Sequence, residues 1–454
     1  MEIKISRKVE TKIADFYKSK DKKALLITGA RQVGKTYIVD NTWKEHFKSI
    51  VRINFIETPD AVELFNKAKN SSDLLLRISA ISKSKLIPDE TLIFLDEVQE
   101  CKEIVTAIKF LVEEGSYKYV LSGSLLGVEL KDIRSVPVGY MDTIEMYPMD
   151  FEEFIRANGI PDTVIESVHT AYENATPVDE IIHNKLMDLF NLYLIVGGMP
   201  AVVKKYLETN NIREVVKEQN SIVRAYKRDI AKYDPEEKLY INDIFELIPS
   251  ELNAKNKRFI LKELNQNFKF SRFRNSFLWL KNAGVALPTH IASEPVVPLK
   301  LSKSSNLFKL FLSDVGLLSS MFMNDIQLKI LNGDLNINYG SIYENVVAQE
   351  LQAHGFELYY FNSKKQGELD FLIELDGSVL PIEVKSGKDY RKHAALNNVM
   401  SNHEYNIEQA IVLQNDNVQI DDKIKYLPVY MIMFIQRSEL NDDLIYRIDL
   451  SDLK

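Results

Sequence analysis

The chain has 454 residues and a formal net charge of −8, with 45% hydrophobic and 27% charged residues. This composition excludes a disordered, collagen-like or fibrous chain, and the acidic balance means that any nucleic-acid-binding surface must be local. The single cysteine, Cys101, excludes an internal disulfide framework and fits a reducing compartment.

The opening MEIKISRKVE lacks the apolar segment of a signal peptide. The longest apolar stretches, Tyr193–Val203 and Tyr426–Ile435, fall short of the ~20 residues that cross a bilayer, so a cytoplasmic chain is expected. The first third alternates apolar runs with amphipathic stretches. The runs are ALLIT (24–28), SIVRINF (49–55), TLIFL (91–95) and KYVLS (118–122); the helical patterns include 61–70 and 103–115. Strands separated by helices predict an α/β unit with a parallel, doubly wound sheet over residues 1–147. Residues 148–235 read as a helical lid or linker, broken by Gly197-Gly198-Met199-Pro200. Residues 236–330 carry two short helical patterns (256–268 and 271–284), then VALPTHI and VVPLKL, which read as a hairpin. Two helices followed by a hairpin predict a winged helix-turn-helix. From 331 to 454 strands return as ELYYFN, GELDFLIEL, VLPIEVKS and QAIVLQ.

Gly29-Ala30-Arg31-Gln32-Val33-Gly34-Lys35-Thr36 fits G-x-x-x-x-G-K-[ST], directly after a predicted strand and opening a helix. The glycines let successive N–H groups turn toward phosphate oxygens, and the helix N-terminus adds its dipole. Lys35 supplies the charge for the β- and γ-phosphates of ATP, Thr36 a hydroxyl for Mg²⁺, and Tyr37 continues the nucleotide-binding segment. The run Leu92–Leu95 reads as a buried strand ending in Asp96-Glu97. Asp96 is expected in the Mg²⁺ shell, with Glu97 as the base that orients and deprotonates the attacking water.

GARQVGKT, LIFLDEVQE, YPMDFEEF, YLIVGGMP and the Arg228-Asp229 of KRDI together resemble the bacterial and archaeal AAA-type ATPase family that carries a C-terminal domain of unknown function. The resemblance spans nearly the whole chain. It implies a polar residue beside the γ-phosphate or the water, for which Ser122 and Ser124 are equal candidates. Many relatives carry a Gly-Arg pair where this chain has Val138-Gly139-Tyr140, so no arginine finger is carried over; Arg134, Arg224 and Arg228 are the substitutes.

Between Ala254 and Lys281 the basic residues Lys255, Lys257, Arg258, Lys262, Lys269, Arg272, Arg274 and Lys281 face Glu263 alone. Such a reversal of sign suits contacts with a DNA phosphate backbone; the alternatives are a solvated basic face or a contact with an acidic neighbouring domain. Further on, Asp376-Gly377 between two apolar runs predicts a hairpin that brings Asp370 near Glu383. Glu383 and Lys385 share a strand face. This set resembles the restriction-endonuclease-like nuclease fold. The resemblance implies Asp370 and Glu383 as metal ligands, Lys385 as catalytic lysine and Glu344 as an auxiliary acid. Two functions follow: an ATPase coupled to a nuclease-like module acting on DNA, or a nucleotide-gated protein-interaction switch whose nuclease-like domain is inert.

Overall fold

A computed structural model describes residues 5–68, 70–82, 85–124, 139–232, 237–254, 259, 270–322, 327, 330, 340–437, 447 and 448. Five strands, β1 (Ala24–Gly29), β2 (Ser49–Asn54), β3 (Thr91–Asp96), β4 (Lys118–Ser122) and β5 (Met141–Met146), pair in parallel in the order β2-β3-β4-β1-β5. Side chains alternate across the sheet, so each strand feeds two cores. Leu25 and Ile27 share one with α1 (Val9–Lys18) and α2 (Lys35–Thr42). Ala24 and Leu26 share the other with α3 (Pro59–Asn66), α4 (Ser71–Ile81) and α5 (Lys102–Glu114). The doubly wound sheet is therefore as expected, and α5 closes on Gly115 at φ 82°. The strand β5 was not foreseen, because MDTIEM is a half-exposed edge strand without an apolar run. The helix expected over 61–70 starts earlier, at Pro59, where a proline fits the first turn, and ends at Asn66.

The helical region comprises α6 (Phe151–Ala157), α7 (Asp162–Glu173), α8 (Glu180–Val196), α9 (Pro200–Thr209), α10 (Ile212–Lys232) and α11 (Glu237–Asn253). Asp150 and Glu153 form a reciprocal capping box that starts α6. The break after α8 has a steric cause. Gly198 N–H donates to Asp314 Oδ2 (2.6 Å), and its carbonyl accepts from Met149 N–H (2.7 Å). A Cβ on Gly198 would lie 2.0 Å from the Met149 carbonyl oxygen, and one on Gly197 2.3 Å from Asp314 Oδ1. Two successive glycines thus let three chain segments meet. Among the described residues no single helix is long and apolar enough to cross a membrane; α8 and α9 pass such a test only as a pair bent by 119°.

The remaining elements are α12 (Phe270–Asn282), β6 (Ala286–Ala292), β7 (Lys303–Leu312), α13 (Val315–Met321), α14 (Gly340–Ala353), β8 (Tyr359–Ser363), β9 (Gly367–Leu375), β10 (Ser378–Val384), α15 (Ala394–Met400), β11 (Ala410–Gln414), β12 (Gln419–Asp421) and β13 (Ile424–Pro428). The first helix expected for a winged helix, 256–268, lies outside the described residues apart from Phe259. The second is α12. The hairpin is real, but its return strand is β7. VVPLKL is instead a loop leading into a short 3₁₀ turn, Leu299–Ser302, because Pro295 and Pro298 interrupt the run. This hairpin is no free-standing wing: β6 also pairs in parallel with β8, giving one eight-stranded sheet ordered β12-β13-β11-β10-β9-β8-β6-β7. A boundary at 330 therefore separates stretches of sequence whose strands share a sheet.

Candidate nucleotide site and C-terminal carboxylate cluster

The P-loop leaves the C-terminal end of β1 and enters α2. Gly29 (φ 133°) and Gly34 (φ 95°) take backbone angles that favour glycine, and Gln32 adopts a left-handed φ of 66° without being one. Ala30 and Val33 are buried, so only their backbones face a ligand. Arg31, Gln32, Gly34, Lys35, Thr36 and Tyr37 line a cavity of about 570 Å³, together with Glu97 from the end of β3. Its far wall is Pro200, Ala201 and Lys204 of α9, which sequence reasoning left without a role.

Lys35 donates to the carbonyls of Gly29 (3.0 Å) and Ala30 (2.8 Å). Burial pulls its ammonium down to about 8, against the opposing pull of Glu97 and Asp96. Because β4 lies between β1 and β3, Ser122 reaches the same acid as the P-loop does. Asp96 Oδ2 accepts from Thr36 Oγ1 (3.0 Å), Asn54 Nδ2 (3.1 Å) and Arg52 (3.3 Å), while Oδ1 accepts from Ser122. Ser124 instead donates to Glu97 Oε2 (3.3 Å), which also accepts from Gln99 Nε2 (2.7 Å). The two serines are thus not rivals for one position; each holds a different carboxylate. Glu97 has φ 58°, so its backbone is turned out of the strand toward the cavity. Sequence reasoning passed over Arg52, Asn54 and Gln99. The signal was present, since polar residues two apart at the end of β2 share a face beside Asp96.

The loop is also tied to the helical region. Arg31 pairs with Asp229 of α10 at 2.8 Å, and Tyr226 donates its hydroxyl to the Arg31 carbonyl (3.2 Å). In the KRDI motif it is therefore Asp229 that faces the nucleotide loop, whereas Arg224 and Arg228 are exposed. Arg134 lies outside the described residues. Arg7 donates to the Val33 carbonyl (3.1 Å) and pairs with Glu153 (3.0 Å), fastening the segment before α1 to both the P-loop and α6.

In the C-terminal sheet the Asp376-Gly377 turn has both residues at positive φ, and β9 and β10 pair with Phe371 opposite Ile382. One further step along that register sets Asp370 against Glu383. Asp370 Oδ2 accepts from the Val384 N–H (2.9 Å), and Lys385 pairs with Glu383 Oε1 at 2.7 Å. The hairpin thus brings together the residues expected to meet. Of the metal set expected from Glu344, Asp370 and Glu383, however, the first two are arranged around a lysine that sequence reasoning did not weigh, while Glu383 pairs with Lys385. Lys309 of β7 is fully buried, and its ammonium lies 2.9 Å from Glu368, 3.4 Å from Glu344 and 4.0 Å from Asp370. Burial opposes its charge, but the three carboxylates outweigh that and hold it above the ordinary lysine range. Among the described residues no group of three or more His, Cys, Asp or Glu side chains is placed to hold a metal ion. The signal was hard to find because Lys309 comes from the hairpin assigned to another domain. Of the basic winged segment, Arg274 and Lys281 are exposed on α12, Arg272 belongs to the same helix, and Lys255, Lys257, Arg258, Lys262 and Lys269 lie outside the described residues.

Residues 21–155 match the family of AAA domains; 187–328 match a domain of unknown function (DUF8612) and 339–432 another (DUF4143). The first segment, with its P-loop and parallel sheet, is an AAA-type P-loop ATPase domain that binds ATP. No curated protein matches the chain. Among solved structures it is similar to a Walker-type ATPase of Pyrococcus abyssi, at 13% identity over 70% of this chain and 96% of that one, with a TM-score of 0.43. It is also similar to the ORC1 protein of Aeropyrum pernix in complex with DNA (12% identity, 74% and 94% covered, TM-score 0.29). A third is the RuvB Holliday junction branch migration motor of Thermotoga maritima (14% identity, 63% and 90% covered, TM-score 0.28).

Proposed function

We propose that the chain is a Mg²⁺-dependent ATPase acting as a nucleotide-gated switch, in which the state of the P-loop is passed through the helical region to the C-terminal sheet. The observation that carries this reading is Arg31, which lines the nucleotide cavity and pairs with Asp229 on α10. Thr36 Oγ1 and Asp96 are hard oxygen donors 3.0 Å apart, a set that fits Mg²⁺, and the ion would neutralise charge on the β- and γ-phosphates. Lys35 exchanges its two loop carbonyls for phosphate oxygens. Gln99 and Ser124 both bond Glu97 Oε2, which aims the carboxylate and leaves its other oxygen to take the proton of a water. That water attacks the γ-phosphorus, the bond to the β-phosphate oxygen breaks, and ADP and phosphate leave. Ser122, Asn54 and Arg52 keep Asp96 in place throughout.

Lys309 favours an inert C-terminal cluster, because a resident ammonium already lies among Glu344, Glu368 and Asp370 and offsets part of their charge. In this reading the output is a protein-interaction surface. Hydrogen exchange along α10, compared between MgADP and Mg²⁺ with a non-hydrolysable ATP analogue, tests the relay. A change in protection around Tyr226 and Asp229 supports it, and superimposable exchange in the two states overturns it.

A nuclease acting on DNA is the second reading. It is favoured by Glu383 Oε2, which is buried with no hydrogen-bond partner among the described residues, beside Lys385. Cleavage of branched or duplex DNA with Mn²⁺, abolished by Lys385→Ala or Asp370→Ala while ATP turnover survives, would establish it.

A further inference from the structure

A second cavity, of about 430 Å³, lies behind the P-loop, between the ATPase sheet and the β6–β7 hairpin. Its floor includes Gly29 and Ala30, which do not line the nucleotide cavity. The turn after α12 presses on the same backbone: a Cβ on Gly284 would lie 3.0 Å from the Ala30 nitrogen. The two cavities therefore adjoin one short loop through different residues.

Three lysines converge on this space from three elements: Lys281 from the last turn of α12, Lys300 from the 3₁₀ turn and Lys303 from the start of β7. None of them has an ion-pair partner among the described residues. Two carboxylates share the wall: Glu145, which accepts from Tyr147 (2.7 Å), and Glu357, which accepts from Tyr359 and is held below the usual carboxylate range by that bond and by the three lysines. Lys303 is held below its ordinary range by burial and by the repulsion of Lys281 and Lys300, against the opposing pull of Glu357. With three ammonium groups facing two carboxylates the lining keeps an excess of positive charge, and an anion relieves the repulsion among the lysines. His290 of β6 completes the lining. Burial, then Lys303 and Lys281, push it down to about 4, so its ring is neutral near pH 7. Its Nδ1 is buried with no hydrogen-bond partner among the described residues. A neutral imidazole among ammonium groups offers directional hydrogen bonding that the lysines do not.

We propose that this cavity binds a small phosphorylated anion, held by Lys281, Lys300 and Lys303 and oriented by His290. The volume suits a phosphorylated metabolite and is too small for a nucleic-acid strand to enter along its length. Because the ligand would rest on Gly29 and Ala30, whose carbonyls accept from Lys35, its binding is linked to the nucleotide's, and each ligand alters the other's affinity by the same factor. That linkage rests on the ATPase reading; the site itself does not.

The test is calorimetric titration of the full chain with inorganic pyrophosphate in a Lys35→Ala background, which removes the P-loop as a competing phosphate site. We expect saturable binding there, weakened at least tenfold by adding Lys281→Gln and Lys303→Gln and unchanged by adding Lys185→Gln, an exposed position of α8. Matching thermal unfolding curves establish that the variants are folded. No binding in the Lys35→Ala protein, or equal binding with and without the two cavity substitutions, overturns the proposal. So does binding of a DNA duplex in place of pyrophosphate. Failure of the ATPase reading would show elsewhere, as ATP turnover of the unaltered chain that Glu97→Gln leaves intact.

Discussion

Arg31 of the P-loop and Asp229 of α10 form an ion pair at 2.8 Å in which the carboxylate is nearly buried while the guanidinium stays open to the nucleotide cavity. The pair can thus be competed for by a phosphate on one side without exposing the acid on the other. Asp229→Ala is expected to lower stability by about 1–3 kcal/mol, below the cost of breaking a fully buried pair because Arg31 keeps contact with water. Combined with Arg31→Ala, the loss should be smaller than the sum of the two. Denaturant midpoints in a double-mutant cycle measure this, with a coupling of roughly 1 kcal/mol expected.

Lys35 should be a place where function opposes stability. Its folded value of about 8 lies below the ordinary 10.5, so the folded state disfavours its charge. Below pH 8 both states are protonated and the full cost is present, roughly 3 kcal/mol. Between pH 8 and 10.5 the unfolded chain binds the extra proton, so this group makes the protein more stable as pH rises. Lys35→Met is expected to raise the denaturation midpoint near pH 7 and flatten that rise, while abolishing ATP binding. A midpoint unchanged at pH 7 would refute it.

Glu97→Gln should keep ATP affinity close to that of the unaltered chain and lower kcat by about 10²–10⁴-fold, since proton removal from water is an interaction made in the transition state. Ser124→Ala and Gln99→Leu should each lower kcat less, because they position Glu97 and do not touch the reacting atoms. Rapid-quench measurement of bound-ATP cleavage separates this from slow product release.

Lys309→Met leaves Glu344, Glu368 and Asp370 facing one another without the ammonium between them. A loss of about 3–5 kcal/mol is expected. Glu344→Gln in the same chain should recover part of it, as should millimolar Mn²⁺ taking the ammonium's place. If Mn²⁺ raises the Tm of the unaltered chain and Asp370→Ala cancels that rise, the cluster is a metal site and the nuclease reading prevails.

The ATPase sheet was legible because its information is local. Four of its strands are apolar runs, and the P-loop couples a strand, two glycines and a helix within a few residues. The Asp376-Gly377 turn was legible for the same reason, and so was the meeting of Asp370 with Glu383 across it. What escaped depends on contacts between distant segments. Nothing near Lys309 in sequence announces three carboxylates, of which the nearest along the chain, Glu344, lies on α14. Asp229 pairs with a loop at the other end of the ATPase domain, and Gly198 owes its identity to Met149 and Asp314. The strand β7 was hidden by its polar opening, Lys-Ser-Ser-Asn, and by prolines that drew attention to the wrong stretch.

The pairing of β6 with β8 has a consequence for biosynthesis. The hairpin of β6 and β7 is translated well before β8, and at ~5–20 residues per second the ribosome leaves one edge of β6 waiting for seconds. That edge presents unpaired N–H and C=O groups beside largely buried side chains, a template for any other extended chain. Nascent protein is therefore most prone to aggregate while its length lies between the end of β7 and the end of β8. Fragments ending near residue 330 should sediment when made in a cell-free system, whereas the full chain stays in the supernatant.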